Sequence, residues 1–425
     1  MLREKLIFKN TAQKMKSLVI YKNLKEDPVL KTLCEYLEIN QKEDVIKDKH
    51  LYYDFVSKLI EKSEELGLSG NLYCKYILSL IVNDENIFSM MCDRREGILD
   101  RSIYQVALTD INNILYILSL PLEKLNIDDE LLPFIKNYYP IKTLSPEDEN
   151  LYRQLIKAKT PEDLLNQLAL YYRNSGCGNL AKYPMLKFDM NKGIVGIKNY
   201  DDVLLDDLFG YKEQKEILLK NTNAFLESKP CNNVLLAGAR GTGKSSMVKA
   251  LANTFFNQGL RLVELNKADF KHFAKLSSIL SERGRKFIIF IDDLSFEEDE
   301  HEYKDLKTIL EGSLEKHPAN ILFYATSNRA NIVQEKFSDI TDDKHEYDTL
   351  NEKLALSDRF GITISFHKTT DEEYLEIIKS LIKETNITIK DEELKQLAHQ
   401  WELRQNSRSG RTAQQFVKSL QSRII

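Results

Sequence analysis

Apolar residues recur at helical spacing through the first 175 or so positions and change to short solid runs afterwards. After Asp27-Pro28, the residues Val29, Leu30, Leu33, Tyr36 and Leu37 mark one face of a helix. Leu51–Leu66 and Asn71–Asn83 keep the same rhythm, separated by Gly67 and Gly70. Ser102–Leu120 is a long striped segment that stops at Pro121, and Asp129–Tyr139 stops at Pro140. Ser145-Pro146-Glu147-Asp148 and Thr160-Pro161-Glu162-Asp163 are helix starts. In each, a hydroxyl caps free N–H groups, proline sits where its missing N–H costs nothing, and acids lie at the positive helix end. The pattern predicts an all-helical N-terminal domain over residues 1–175.

The rhythm changes after Ser175-Gly176-Cys177-Gly178-Asn179. Lys187–Ile197 alternates around Asn191-Lys192-Gly193, which predicts a small hairpin inside a linker over 176–202. Beyond it, Val234–Ala237, Arg261–Leu265, Phe287–Ile291, Asn320–Tyr324 and Ile362–Phe366 are short apolar runs read as strands. Helical stretches such as Glu213–Phe225 and Gly243–Gln258 lie between them. That alternation predicts an α/β domain with a parallel sheet over 203–368. Three helical segments close the chain over 369–425: Asp371–Glu384, Asp391–Arg404 and Thr412–Ile425.

The first of the strands runs into the most informative stretch, Asn233–Ser246. Gly238-Ala239-Arg240-Gly241-Thr242-Gly243-Lys244-Ser245 fits G-x-x-x-x-G-K-[ST], with Ser246 following. The three glycines let the backbone curl so that several N–H groups face one anion, and the helix that follows adds its positive end. Lys244 reaches the β- and γ-phosphates of a nucleotide, and the Ser245 hydroxyl ligates Mg²⁺.

Composition narrows the classes. At 425 residues the chain is too long for one core. Its 42% hydrophobic and 29% charged residues are those of a globular protein. A net charge of −5 does not point to nucleic acid or to anionic lipid as a partner of the whole molecule. Five scattered cysteines without a C-x-x-C spacing read as thiols of a reducing compartment, so a cytoplasmic location is expected. The apolar runs are too short to span a bilayer, no leader peptide is visible, and no membrane association is expected.

Lys286–Ile291 ends in Asp292 and Asp293. Acids at the carboxyl edge of a buried parallel strand lie where such sheets bind ligands. Asp292 fits the residue that holds Mg²⁺ together with Ser245. Asp293 fits the base that polarises the attacking water, with Glu297 or Glu298 as alternatives. Asn320–Tyr324 leads into Ala325-Thr326-Ser327-Asn328-Arg329, where Asn328, or next Thr326, orients the lytic water. Tyr211, in Leu208-Phe209-Gly210-Tyr211, is the candidate to pack on an adenine base. Arg359 lies at the domain edge, and Arg411 opens the last helix, with Arg408 as its alternative. A nucleic-acid patch of Arg404, Arg408 and Arg411 is the competing reading. Asn266-Lys267-Ala268-Asp269 spells a guanine-reading motif, but it follows the P-loop directly, where GTPases do not carry it.

The order P-loop, hydrophobic strand with Asp292-Asp293, Ala325-Thr326-Ser327-Asn328-Arg329, Ser357-Asp358-Arg359-Phe360-Gly361 and Ser409-Gly410-Arg411-Thr412-Ala413 resembles AAA+ ATPases. More closely, the stretch over about 180–425 is similar to a bacterial family catalogued as domain of unknown function 815. The resemblance implies an αβα P-loop sandwich with a C-terminal helical lid, using ATP and Mg²⁺. It implies Lys244 and Ser245 as Walker A, Asp292 as Walker B, Asn328 as sensor 1, Arg359 as an arginine finger acting on a neighbouring subunit, and Arg411 as sensor 2. Asp293 stands where the wider superfamily carries Glu, and in this it resembles the pattern of replication-initiator and helicase-loader members. Residues 268–273 hold aromatics but no glycine, which departs from the pore loop of threading rings. The expectation is an oligomeric ATP hydrolase acting as a switch or remodeller, with an unidentified protein partner on the helical N-terminal domain. An ATP-gated adaptor with little hydrolysis and a loader-like DNA-associated ATPase are the alternatives.

Overall fold

The computed structural model describes residues 2–39, 45–94, 100–125, 130–208, 210–295, 301–311, 318–328, 359–367, 369–383, 385, 387, 389–405 and 408–422. The chain divides into two compact units, Met1–Ala181 and Lys182–Ile425. Among the described residues no helix is long and apolar enough to cross a membrane.

The first unit is helical. Its helices are α1 (Leu2–Lys16), α2 (Pro28–Ile39), α3 (Val45–Leu66), α4 (Leu72–Val82), α5 (Ile87–Asp93), α6 (Arg101–Leu118), α7 (Leu132–Lys136), α8 (Pro146–Lys157), α9 (Pro161–Ser175) and α10 (Asn179–Lys182). Helices α8 and α9 begin at their prolines, and Ser145 and Thr160 accept the N–H of Asp148 and Asp163. One core runs through the unit and includes Leu33, Leu59, Ile81, Phe88, Ile111, Ile114, Leu165 and Tyr172. Buried tyrosines place their hydroxyls on backbone carbonyls, Tyr73 on Ile117 at 2.7 Å and Tyr172 on Ile81 at 2.6 Å. Such partners offset the cost of burying a phenol.

Over 129–139, expected as one helix, the described residues 130–139 hold only the short α7. Pro133 sets its start, and Tyr138 instead exchanges backbone hydrogen bonds with Gly70 in an isolated bridge. The connection from α1 to α2 is pinned by Asp110 of α6. Its carboxylate, 1% exposed, accepts the N–H groups of Val19, Ile20 and Tyr21 at 2.7–3.0 Å.

The second unit carries a seven-stranded sheet. In chain order it contains β1 (Met185–Asp189), β2 (Gly193–Gly196), α11 (Lys212–Leu226), β3 (Val234–Gly238), α12 (Lys244–Thr254), β4 (Leu260–Glu264), α13 (Phe273–Ser281), β5 (Lys286–Ile291), α14 (His301–Glu311), β6 (Ile321–Ser327) and β7 (Ile362–Phe366). Three helices follow: α15 (Asp371–Lys383), α16 (Asp391–Gln405) and α17 (Gly410–Gln421). The strand order is β2-β1-β4-β5-β6-β3-β7, with only β2 antiparallel. The hairpin of residues 187–197 is there, and β1 also pairs β4 in parallel, so it forms the edge of the sheet.

Strands β5 and β6 are buried at every position, as expected of a sheet covered on both faces. On one face Leu236, Ile288, Phe290, Leu322 and Tyr324 join residues of α11 and α12 in a core. On the other, Phe323 meets Phe273 of α13 with ring centroids 5.4 Å apart. The Tyr324 hydroxyl, inside the first core, bonds Thr222 at 2.8 Å and Asn221 at 3.1 Å, tying α11 to the sheet. Helices α15–α17 close their own small core of Tyr374, Ile378, Leu394, Ala398, Phe416 and Val417. The architecture is an αβα P-loop sandwich with a helical lid, in a chain whose N-terminal region is helical.

Truncating Asp110 would leave the buried Tyr21 N–H and the part-buried N–H groups of Val19 and Ile20 without their acceptor. Asp110→Ala is expected to destabilise the helical unit by on the order of 3 kcal/mol, checked by urea denaturation followed by circular dichroism.

Candidate nucleotide site

β6 lies between β3 and β5, so the carboxyl ends of these three strands meet at one place on the sheet edge. β3 turns there into residues 239–243 and then α12. Gly238, Gly241 and Gly243 have φ of +146°, +80° and +87°. At Gly238 the chain passes so close to β7 that a Cβ would stand 2.1 Å from the Phe366 carbonyl oxygen. At Gly241 a Cβ would stand 2.8 Å from Ser409 Oγ, at the start of α17. Only glycine meets both demands. Thr242 Oγ1 donates to the Ala239 carbonyl at 2.9 Å and closes the loop on itself.

A cleft of about 440 Å³ opens over the loop. Arg240, Gly241, Gly243, Lys244, Ser245, Ser246, Asp292, Asp293, Asn328 and Arg411 line it, and so do Leu208, Thr326, Gly410 and Gln414. Lys244 is 6% exposed. Its ammonium donates to the carbonyls of Gly238 at 2.8 Å and Ala239 at 2.7 Å, and to Asn328 Oδ1 at 3.2 Å. Burial pushes its pKa below the ordinary lysine value, against the opposing pull of Asp292 and Asp293.

Asp292 and Asp293 follow β5 directly. Ser245 Oγ donates to Asp292 Oδ1 at 2.6 Å, and Thr326 Oγ1 donates to the same oxygen at 2.5 Å. Asp293 has φ of +52°. A residue with a Cβ is disfavoured there by roughly 1–2 kcal/mol. Its N–H is held by Thr326 Oγ1 at 2.9 Å and by Asp292 Oδ1 at 3.1 Å. Asn328 Nδ2 donates to Asp293 Oδ1 at 2.5 Å, and the exposed Arg240 guanidinium stands 3.9 Å from the other oxygen.

Among the described residues no cluster of three or more His, Cys, Asp or Glu could hold a metal unaided. Mg²⁺ does not need one: it takes oxygen ligands, keeps several waters, and binds through one or two protein groups plus phosphates. The Ser245 hydroxyl and the Asp292 carboxylate, side by side on the cleft, fit that donor set.

Gly238, Ala239 and Thr242 shape the loop without lining the cleft, and Tyr211 and Arg359 lie away from it. Tyr211 packs its ring on Phe366 at 5.0 Å and donates its hydroxyl to the His367 carbonyl at 2.7 Å. Burial raises its pKa to about 12. Leu208, three residues earlier, is the apolar side chain on the cleft wall. Arg359 precedes β7 at the opposite edge of the sheet, on a separate cleft with Lys229, Asn232 and Lys286. The five residues of β7 put it about 16 Å or more from the P-loop of its own chain. Gln414 has no motif to announce it, but it lies three positions after Arg411 and so shares its helix face. Arg408 is engaged in the lid by Asp371 at 2.6 Å and by Glu402. None of residues 266–269 lines the cleft. Glu297, Glu298 and Arg329 fall outside the described residues.

A mostly parallel sheet with a glycine-rich loop after β3, acids after β5 and a helical lid over the cleft defines a P-loop protein of the AAA+ type. The chain belongs to the family described as "Protein of unknown function (DUF815)", whose profile matches residues 181–424. Over 105 residues it is 26% identical to the replication factor C large subunit of Methanococcus maripaludis, 23% of this chain and 21% of that protein. The chain therefore spans about a fifth of that relative's length. Similar solved structures include a point mutant of RuvB from Thermotoga maritima, at 20% identity and a TM-score of 0.37 over 52% of this chain and 65% of that one. Another is the HORMA:CdnC:Trip13 complex of E. coli MS115-1, at 15% identity and a TM-score of 0.35 over 50% of this chain and 89% of that one.

A bound triphosphate stabilises the charged form of Lys244, so binding takes up a proton wherever the empty site leaves the lysine neutral. Nucleotide affinity is expected to fall, by at most about tenfold per pH unit, as alkaline pH rises through the lowered Lys244 pKa. A Lys244→Arg variant, charged throughout, is expected to lack that fall in fluorescence titrations with a labelled nucleotide.

Proposed function

We propose that this protein binds ATP with Mg²⁺ and hydrolyses it, working as an oligomeric switch or remodeller on a protein partner held by the helical N-terminal unit. The observation that carries the reading is the convergence of Lys244, Ser245, Asp292, Asp293, Asn328 and Arg411 on one cleft. Phosphoryl transfer asks a protein chiefly for positioning and for charge opposite the transferring group. The amides of residues 239–243 and Lys244 hold the phosphates. Ser245 and Asp292 hold Mg²⁺, which when bound neutralises phosphate charge. Asp293 takes the proton of the attacking water, and Asn328, already bonded to Asp293, fixes where that water sits. Arg411 reaches the γ-phosphate from the lid of its own chain, and Leu208 supplies the apolar wall for adenine. Arg359, at the far edge of the sheet, serves the nucleotide of a neighbouring copy.

A second reading, an ATP-gated adaptor with little turnover, draws on the same acid pair. Asp293 is one methylene shorter than glutamate, and its carboxylate is engaged by Asn328. The loader-like reading gains less: Arg408, one of its three arginines, is committed to two carboxylates within the lid.

Lys244→Ala is expected to abolish nucleotide binding or turnover. Arg359→Ala is expected to spare binding and to lower turnover by roughly 10³–10⁵-fold, measured as phosphate release at concentrations where the wild type self-associates. Wild-type turnover in that variant would refute the arrangement in trans. Saturable ATP binding by the unaltered protein with no phosphate release would favour the adaptor.

A further inference from the structure

We propose that Thr326 is the positioning residue that sets both acids of the cleft through one hydroxyl. The inference rests on the reading of Asp292 as the Mg²⁺ ligand and Asp293 as the base. Thr326 is the penultimate residue of β6 and is 2% exposed. Its Oγ1 donates to Asp292 Oδ1 at 2.5 Å and accepts the Asp293 N–H at 2.9 Å. Its carbonyl accepts the Leu294 N–H at 2.6 Å, so both ends of the turn that carries Asp293 are fastened to one residue.

A hydroxyl offers one proton and two lone pairs. Here the proton is spent on Asp292 and a lone pair on Asp293, which removes Thr326 as the donor that orients water. Asp292 Oδ1 is filled by Ser245, Thr326 and the Asp293 amide. Among the described residues no hydrogen bond reaches Asp292 Oδ2, so that oxygen is the one left to a cation. Holding the Asp293 N–H also keeps this residue at its left-handed φ, from which its carboxylate meets Asn328. The relative placement of metal ligand and base thus depends on a side chain that does neither job.

The test compares the full chain with Thr326→Val, which keeps the shape and loses the hydroxyl, and Thr326→Ser, which keeps the hydroxyl. Mg²⁺ is titrated at fixed nucleotide, reading nucleotide binding and phosphate release, and binding is read again without Mg²⁺. Thr326→Val is expected to change Mg²⁺-free binding by no more than about twofold, to need about 10–100-fold more Mg²⁺, and to lose kcat by a similar factor with KM little altered. Thr326→Ser is expected to restore both. If the valine variant does not fold, seen as lost Mg²⁺-free binding, Thr326→Ala takes its place in the same comparison. A hydroxyl-free variant with the wild-type Mg²⁺ midpoint overturns the proposal, as does a serine variant as impaired as valine. Wild-type protein that binds Mg²⁺ and nucleotide without releasing phosphate overturns the hydrolysis reading instead, and the Mg²⁺ midpoint of binding still decides the role of Thr326.

Discussion

The cleft depends on β6 lying between β3 and β5. The phosphate loop and the acid pair belong to strands that never touch each other, and β6 pairs with both. Its register is fixed on each side, Leu236 opposite Thr326 and Ala325 opposite Ile291. A slip of one residue would turn every side chain to the other face. It would carry Thr326 away from Asp292 and set the side chains of a strand buried on both faces against the wrong core partners. The hydrophobic interior and the polar site are therefore specified together, since the side chains that fill the core also hold Thr326 and Asn328 in place.

Charge in the cleft is balanced from within. Lys244 spends its donors on two carbonyls and Asn328, Asp292 receives two hydroxyls, and Asp293 receives Asn328. Each bond is to a neutral group, apart from the distant Arg240. A polyphosphate would give Lys244 an anionic partner in place of neutral oxygens, adding ion-pair attraction to hydrogen bonds already charged on one side. The chain can thus keep its lysine and acids in order without a ligand and still gain free energy when one arrives.

Much of this was legible in the residues. The stretch Asn233–Ser246 announces its own geometry, because glycine at those spacings is what a curled, left-handed backbone requires. Asp292 and Asn328 were legible because each ends an apolar run, and parallel strands deliver such ends to one edge. Leu208 and Tyr211 were harder: they stand three residues apart in one apolar stretch, and only packing decides which reaches the cleft. Tyr211 is drawn off by Phe366 and the His367 carbonyl, contacts made across more than 150 residues of chain. Gln414 carries no signal of its own beyond its place on the Arg411 face. The hairpin of residues 187–197 was visible as a hairpin, but its parallel pairing with β4 is a long-range choice with no local mark. In the helical unit, Pro133 and the bridge to Gly70 shorten a helix that periodicity alone would extend.

Gly241 touches the start of the lid as closely as it borders the cleft. The first side-chain atom of any other residue would come within 2.8 Å of Ser409 Oγ. Ser409 is itself locked in a reciprocal cap with Thr412 and is 2% exposed. Loop and lid therefore approach each other more closely than a side chain at position 241 would allow. Because position 241 carries no side chain, the capped end of α17 can come down this close to the loop; any other residue there would hold the start of the lid away from the phosphate loop.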